Sequence, residues 1–141
     1  RCGSSQENRA TFLLSNISPQ RPELNRGVWR LLEEQVRRWA LQCDTLYIVT
    51  GSNLNGHLPR IRGGVGVPEQ FFKAILFCSV SECQGIAFPN DKQLSKDYFS
   101  YALSIDSLED RLHMDLFPVL PDEVETRVES RANRPFWRNM R

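Results

Sequence analysis

Histidine is scarce in this chain, with only His57 and His113 among 141 residues, and long apolar runs are absent. No segment comes near the roughly 20 consecutive apolar residues that a membrane-spanning helix needs, and no signal or transit pattern is found. We therefore expect no membrane span. The chain starts at Arg1 rather than at Met, so its amino terminus gives no indication of localisation.

Several catalytic patterns are also missing. The glycine-rich stretch at 63–66 is too short for a phosphate-binding loop, no Lys-Ser/Thr pair follows it, and neither G-x-S-x-G nor H-E-x-x-H occurs. The sequence therefore gives no indication of a P-loop nucleotide hydrolase, an α/β-hydrolase or a zinc metalloprotease. The length suits one domain with a single core.

The four cysteines fit no zinc-binding pattern. The segment C-S-V-S-E-C between Cys78 and Cys83 fits either a disulfide across a hairpin turn, which would imply an oxidising compartment, or two free thiols. We favour the free thiols.

Charge is nearly balanced over the whole chain but uneven along it. The formal net charge of +1 gives no overall attraction to nucleic acid. Arginines are concentrated in two stretches, which fit either a phosphate-contacting face or an ordinary solvated face. The two stretches contain Arg21, Arg26, Arg30, Arg37 and Arg38, and then Arg127, Arg131, Arg134, Arg138 and Arg141.

Apolar periodicity and turn residues predict an α+β fold, with helices packed on a sheet that is mainly antiparallel. We assign residues 1–133 to one domain and residues 134–141 to a carboxyl-terminal tail. The predicted strands are 11–15, 46–50, 71–79, 84–88 and 98–103; the predicted helices are 23–42, 105–112 and 122–131; and 51–66 is a loop.

Four residues in the first predicted helix recur at intervals of four: Asn25, Trp29, Glu33 and Arg37. At 100° per residue they form one nearly straight stripe along an α-helix. An amide oxygen, a carboxylate and a guanidinium on one stripe are suited to holding a hydrated metal ion and a phosphate. The bulk of Trp29 favours packing over chemistry.

The same segment, with others downstream, resembles the DNA/RNA non-specific endonucleases, the ββα-metal (His-Me finger) nucleases that include endonuclease G. The stripe begins in N-R-G-V-W (25–29), which is similar to the family's N-x-G-x-W. Further similarity lies in L-Y-I-V-T-G (46–51), V-G-V-P-E-Q-F-F-K-A-I-L (65–76), A-F-P-N (87–90), S-I-D-S-L-E (104–109) and D-L-F-P-V-L-P (115–121). These matches cover nearly the whole chain in a consistent order.

The resemblance implies a site for Mg²⁺ or Mn²⁺. Asn25 would be the direct protein ligand, and Mg²⁺ keeps several waters when bound in this way. Glu33 would orient one or more of those waters, and Arg37 would reach the scissile phosphate. Asn16 matches a second family asparagine that supports the site and contacts substrate. The implied partners are the backbones of DNA and RNA, and the implied localisation is mitochondrial or secreted.

Local structural roles are the alternatives for these residues. Asn25 is also a favoured helix N-cap, and Asn16 before a proline-containing turn also fits an Asx turn. Glu33 and Arg37 also fit an ordinary i,i+4 ion pair worth about 0.3–0.5 kcal/mol.

The family's general-base histidine, in a D-R-G-H motif, is absent from this sequence. Family spacing would place it a few residues before Arg1, on hairpins that we expect to be missing here. Neither His57 nor His113 matches a catalytic position. Two interpretations follow: the metal-binding part of a nuclease whose histidine comes from another segment or chain, or an inactive nuclease-like scaffold in a larger, organellar nucleoprotein assembly.

Overall fold

The computed structural model describes residues 17–118 and 120–140, apart from the side chain of Val80. The predicted strand over 11–15 and the candidate residue Asn16 lie outside the described residues.

Four antiparallel strands form one sheet in the order β1-β2-β3-β4. They are β1 (Leu46–Asn53), β2 (Gln70–Phe77), β3 (Glu82–Pro89) and β4 (Ala102–Leu103). Short connections explain the antiparallel order, since β2 and β3 are joined through one 3₁₀ turn, Cys78–Val80. The α+β prediction is confirmed.

The first helical segment, α1, has three consecutive parts: an α-helical turn Pro22–Leu24, a wide π turn Asn25–Trp29 and a regular helix Arg30–Ala40. Gly27 interrupts the helical backbone, with φ −96° and ψ −119°. The helix predicted over 23–42 is therefore present, but with a kink in its first third. Three further helices follow: α2 (Ile105–Leu112), α3 (Asp122–Glu129) and α4 (Arg134–Asn139).

Helices cover both faces of the sheet, which gives three layers. One core lies between the sheet and α1 with α4, and the other lies between the sheet and α2 with α3. Successive residues of a strand point to opposite faces, so β2 serves both cores and is apolar on both faces except at Gln70 and Lys73. The first core contains Phe71, Ile75 and Phe77 of β2, and the second contains Phe72, Ala74 and Leu76.

The structure corrects the extent of two predicted strands, 46–50 and 98–103. β1 continues through Gly51 to Asn53, because the missing side chain makes room for the ring of Phe72; a Cβ there would lie 2.9 Å from Phe72 Cζ. Tyr98–Tyr101 is a 3₁₀ turn, and only Ala102–Leu103 is a strand.

The predicted tail at 134–141 instead contains helix α4. Its Trp137 is 1% exposed and packs against Trp39 of α1 with ring centroids 5.0 Å apart. The arginine-rich composition of 134–141 gave no indication of this buried contact between two tryptophans.

Cys43, Cys78 and Cys83 are free thiols, which confirms the favoured interpretation for Cys78 and Cys83. Within 17–118 and 120–140, no helix has the length and hydrophobicity to cross a membrane.

Candidate metal centre

Asn25 lies where the first turn of α1 passes into the π turn. Its backbone N–H donates to Arg21 O at 2.9 Å, so Asn25 is inside the helical segment and is not its N-cap. Its side-chain Nδ2 donates to Gln20 Oε1 at 2.6 Å. That bond fixes the orientation of an exposed amide, and Oδ1 has no hydrogen-bond partner among the described residues. The capping alternative for Asn25 is wrong.

The chain entering α1 is held in place by Asn90 at the end of β3. Asn90 Oδ1 accepts from Arg21 N at 2.8 Å, and its Nδ2 donates to Pro19 O at 3.1 Å and to Pro68 O at 2.9 Å. Ser18 Oγ adds a contact with Ser52 Oγ of β1 at 3.1 Å. Non-local hydrogen bonds therefore position the turn that carries Asn25.

Glu33 is held by two neighbours from different elements. Trp29 Nε1 donates to Glu33 Oε1 at 3.0 Å, one helical turn away, and Lys73 Nζ of β2 lies 3.7 Å from the same oxygen. The Glu33 side chain remains 41% exposed. Trp29 and Lys73 therefore orient the carboxylate from the side that faces the sheet, while its other side is open to solvent. Trp29 packs as predicted, at 7% exposure, and it also orients Glu33.

Lys73 is a buried lysine in an otherwise apolar strand. It is 6% exposed, its Nζ donates to Thr50 Oγ1 at 3.0 Å, and the same atom lies 4.4 Å from the centroid of the Trp29 ring. Burial lowers the pKa of Lys73; the Glu33 carboxylate opposes this shift, and the Arg37 guanidinium adds to it. Glu33 thus supplies the counter-charge for a desolvated ammonium.

Arg37 lies one turn beyond Glu33 on α1, and its side chain is exposed. Within the described ranges no ion pair joins it to Glu33, so the i,i+4 alternative is wrong. Its guanidinium remains available to an external anion. The predicted stripe is continuous from Trp29 to Arg37, whereas the Gly27 kink separates Asn25 from it.

The remaining candidate and the two histidines are not among the contacts just described. Asn16 lies outside the described residues. His57 is exposed beside a cleft of about 450 Å³ that Ser18 also lines, and His113 is exposed at the end of α2 with a left-handed backbone, φ 55°.

Two residues of the site were missed by the sequence interpretation, Lys73 and Asn90. The sequence does mark Lys73, because it is the single charged residue inside the apolar segment F-F-K-A-I-L-F. Asn90 ends the matched A-F-P-N segment, and nothing in its local sequence indicates its contacts with Pro19, Arg21 and Pro68.

The donor set fits a hard divalent cation. One amide oxygen and one solvent-open carboxylate, eight residues apart on the same helical segment, are few protein ligands, which suits Mg²⁺, a cation that retains much of its water. Lys73 and Arg37 add positive charge near Glu33. Asn25 and Arg37 are exposed, so a long polymer has access to the group.

Comparisons with known proteins identify the family of this chain. The family model for DNA/RNA non-specific endonuclease matches residues 1–123. A nuclease of Nostoc sp. is 32% identical over 94% of this chain and 52% of its own length, and a Serratia marcescens nuclease is 29% identical over 84% and 47%. Mitochondrial endonuclease G of Bos taurus is 29% identical over 70% of this chain and 38% of its own.

A chain in a crystal structure of the EndoG/EndoGI complex has a TM-score of 0.64 at 24% identity, covering 79% of this chain and 52% of that one. This likeness supports the fold. The chain spans about half the length, or less, of these curated relatives. With a family model matched over most of its residues, the chain belongs to the DNA/RNA non-specific endonuclease family.

Proposed function

We propose that this chain carries the metal-binding part of a metal-dependent, sugar-non-specific endonuclease that hydrolyses phosphodiester bonds in DNA and RNA. The observation that carries the proposal is the arrangement of Glu33. Its carboxylate is fixed by Trp29 and Lys73, open to solvent, and on the same helical segment as the oriented amide of Asn25.

Asn25 would hold Mg²⁺ or Mn²⁺ through Oδ1, because its Nδ2 already donates to Gln20. Glu33 would orient metal-bound water through its carboxylate. When bound, the cation would supply electrostatic stabilisation of the charge that develops on the phosphate.

Arg37 would contact the scissile phosphate, since its guanidinium is exposed and not paired with Glu33. Asn16 would support the substrate contacts. Contacts of this kind go to the nucleic-acid backbone, which explains activity on both DNA and RNA without sequence preference.

The general base would be a histidine outside these 141 residues, carried by a D-R-G-H segment from elsewhere. His57 and His113 lie on a loop and at the end of α2, where neither is joined to Glu33 by a contact. Localisation would be mitochondrial or secreted; the mitochondrial endonuclease G relatives support the first.

Cleavage of supercoiled plasmid and of RNA in Mg²⁺ tests the proposal. The chain alone and the chain in its native complex are compared, each with Asn25→Ala and with the matched control Asn139→Ala, an exposed asparagine of α4. We expect cleavage by the complex that Asn25→Ala abolishes and Asn139→Ala retains.

The scaffold alternative has its own observation. Edge strand β1 leaves Tyr47 55% and Ile48 41% exposed, an apolar surface suited to covering by another segment. No cleavage above the Asn25→Ala level in either sample would favour this alternative.

A further inference from the structure

Three carboxylates from two helices meet on the opposite side of the sheet from Asn25. Asp106 and Glu109 belong to α2, and Glu129 ends α3. Each offers an oxygen, and these oxygens all lie within 4.8 Å of one another. Residues of these two helices belong to the second core, whereas α1 packs on the first. The acidic cluster is therefore separate from the candidate metal centre.

Glu129 is the buried member of this cluster. It is 2% exposed, and its Oε1 is buried without a hydrogen-bond partner among the described residues. A buried carboxylate without a partner is costly, and native proteins satisfy such groups with a proton, a counter-charge or a metal ion. In the described part of the chain, no lysine, arginine or histidine nitrogen lies within 4.0 Å of the three carboxylates.

The surroundings of Glu129 add negative charge. Glu125 of α3 and Asp115 after α2 also act on it, and the Cys83 thiol of β3 faces the same region. Burial, reinforced by Glu109, raises the pKa of Glu129 to about 8. Near neutral pH, two forms therefore compete: a protonated carboxyl, and a carboxylate neutralised by a bound cation.

We propose that Asp106, Glu109 and Glu129 form a second cation site, selective for Ca²⁺, that ties α2 to α3. Ca²⁺ binds oxygens at about 2.3–2.6 Å, so two oxygens on opposite sides of one ion are separated by about 4.6–5.2 Å. The three oxygens all lie within 4.8 Å of one another, so they fit inside that span. Ca²⁺ takes six to eight oxygen ligands, whereas Mg²⁺ keeps several waters and is usually held by one or two carboxylates, so a set of three carboxylates favours Ca²⁺.

The site would join α2 and α3, whose apolar residues pack in the same core on this face of the sheet. Glu109 Oε1 already accepts from Leu116 N at 2.7 Å, which orients the carboxylate and ties it to the segment after α2. A cation bound here would stabilise the folded state, because Glu129 meets Asp106 and Glu109 only when the chain is folded.

Thermal unfolding and calorimetric titration of chelator-treated protein test the site. Ca²⁺ and Mg²⁺ are added separately at constant ionic strength, in a background of Asn25→Ala so that the candidate metal centre does not contribute. We expect saturable binding of one Ca²⁺ and a rise in Tm of about 5 °C or more at saturation. The expected response to Mg²⁺ is weaker.

Three variants in that background decide the assignment. Glu129→Gln and the exposed Asp106→Asn should each lose the Ca²⁺ response, whereas Glu123→Gln, an exposed acid of α3, should keep it. Asp106→Asn keeps the test decisive if Glu129→Gln fails to fold. A Ca²⁺ response that survives Asp106→Asn, or no response in the background protein, would overturn the proposal and leave Glu129 as a protonated buried carboxyl. Either result is independent of nuclease activity.

Discussion

At the scale of single residues, Lys73 has the most unusual environment in the site. Its ammonium is buried between the Trp29 ring and Thr50, with the half-exposed Glu33 as its counter-ion. Burial lowers the pKa of Lys73, because a desolvated ammonium is less stable than a hydrated one. The Glu33 carboxylate opposes that shift and favours the charged form. Lys73 is therefore a positioning residue: it acts on the proposed chemistry through the orientation and charge of Glu33.

Lys73→Met separates this role from a structural one. Methionine fills the volume of the lysine stem, and the half-exposed Glu33 keeps contact with water, so we expect a loss of about 2 kcal/mol or less in the free energy of unfolding. Nuclease activity of the complete assembly should fall about tenfold or more, because a supporting contact to a water-orienting carboxylate is lost. Urea denaturation and plasmid cleavage measure the two effects. The exposed Lys92→Met is the control, and equal activity of the two variants would contradict the positioning role.

Cys83 provides a second residue-scale prediction, in its reactivity. Burial, with Glu129 and neighbouring acids, raises the pKa of Cys83 to about 12. The reactive thiolate is the deprotonated form, so it should stay below about 1% of molecules up to about pH 10. In a Cys2→Ser/Cys43→Ser/Cys78→Ser background, a thiol reagent at pH 8 should label unfolded but not folded protein. Complete labelling of folded protein within minutes would show that Cys83 is accessible.

At the scale of elements, the position of α1 depends on contacts far away in sequence. Asn90, at the end of β3, binds the backbone on both sides of Gln20, the residue that orients Asn25. The kink at Gly27 then redirects the helix so that Trp29 and Glu33 face β2. The sheet thus positions the segment that carries the proposed ligand, through the hydrogen bonds of Asn90 and the contact between Ser18 and Ser52.

Asn90→Ala should loosen this connection. Three side-chain hydrogen bonds are lost, at roughly 0.5–1.5 kcal/mol each, so we expect about 2 kcal/mol of destabilisation. The amide of Arg21, which donates to Asn90 Oδ1, should exchange its hydrogen faster than the amides within β2. Chemical denaturation and native-state hydrogen exchange check both points. Asn90→Asp keeps the acceptor for Arg21 and should protect that amide better than Asn90→Ala does.

The sequence predicted those elements correctly whose caps, turns and apolar spacing all lie within a few neighbouring residues. Helix α2 was predicted with its observed bounds, because the Ser104 cap and the spacing of its apolar residues agree. The segment 98–101 has the aromatic content of a strand, but the Asp97 side chain accepts from Phe99 N and stabilises a 3₁₀ turn. Short-range hydrogen bonding outweighed β-propensity there.

The site was only partly accessible from sequence for a related reason. Asn25, Glu33 and Arg37 were chosen through one periodic stripe and the family resemblance, and both are readable along the chain. Lys73 meets Glu33 across 40 positions of sequence, and no local pattern reports such a contact. Lys73 and Asn90 were missed because their contacts join residues that are far apart in sequence and meet only in the folded sheet.

At the scale of the whole molecule, α4 completes the first core. Trp137 and Phe136 add to a cluster that already contains Trp39 and Phe77, and Arg138 pairs with Asp97 at 2.6 Å. Trp39 Nε1 donates to Met140 O at 2.9 Å, which ties the end of the described chain to α1. The carboxyl-terminal residues are therefore part of the packed domain.

Replacing Trp137 tests this conclusion. Trp137→Ala should cost about 3–5 kcal/mol in unfolding free energy, because it leaves a large cavity against Trp39. Trp137→Phe should cost much less, since it keeps an aromatic ring and removes an Nε1–H that is buried without a hydrogen-bond partner among the described residues. Guanidinium denaturation compares the two. A Trp137→Ala protein as stable as the parent would restore the tail interpretation.

The lysine in β2 also has a consequence for how the sheet folds. Lys73 shares its face with Phe71 and Ile75, toward α1, while Phe72 and Ala74 face the other layer. Sliding β2 by one residue would exchange the two sets and bring an ammonium into a layer with neither Glu33 nor the Trp29 ring to receive it. The Lys73 charge, which supports the proposed chemistry, therefore also favours a single register for β2. Sheets paired in the wrong register would be less stable, so this selection acts during folding, before the site is formed.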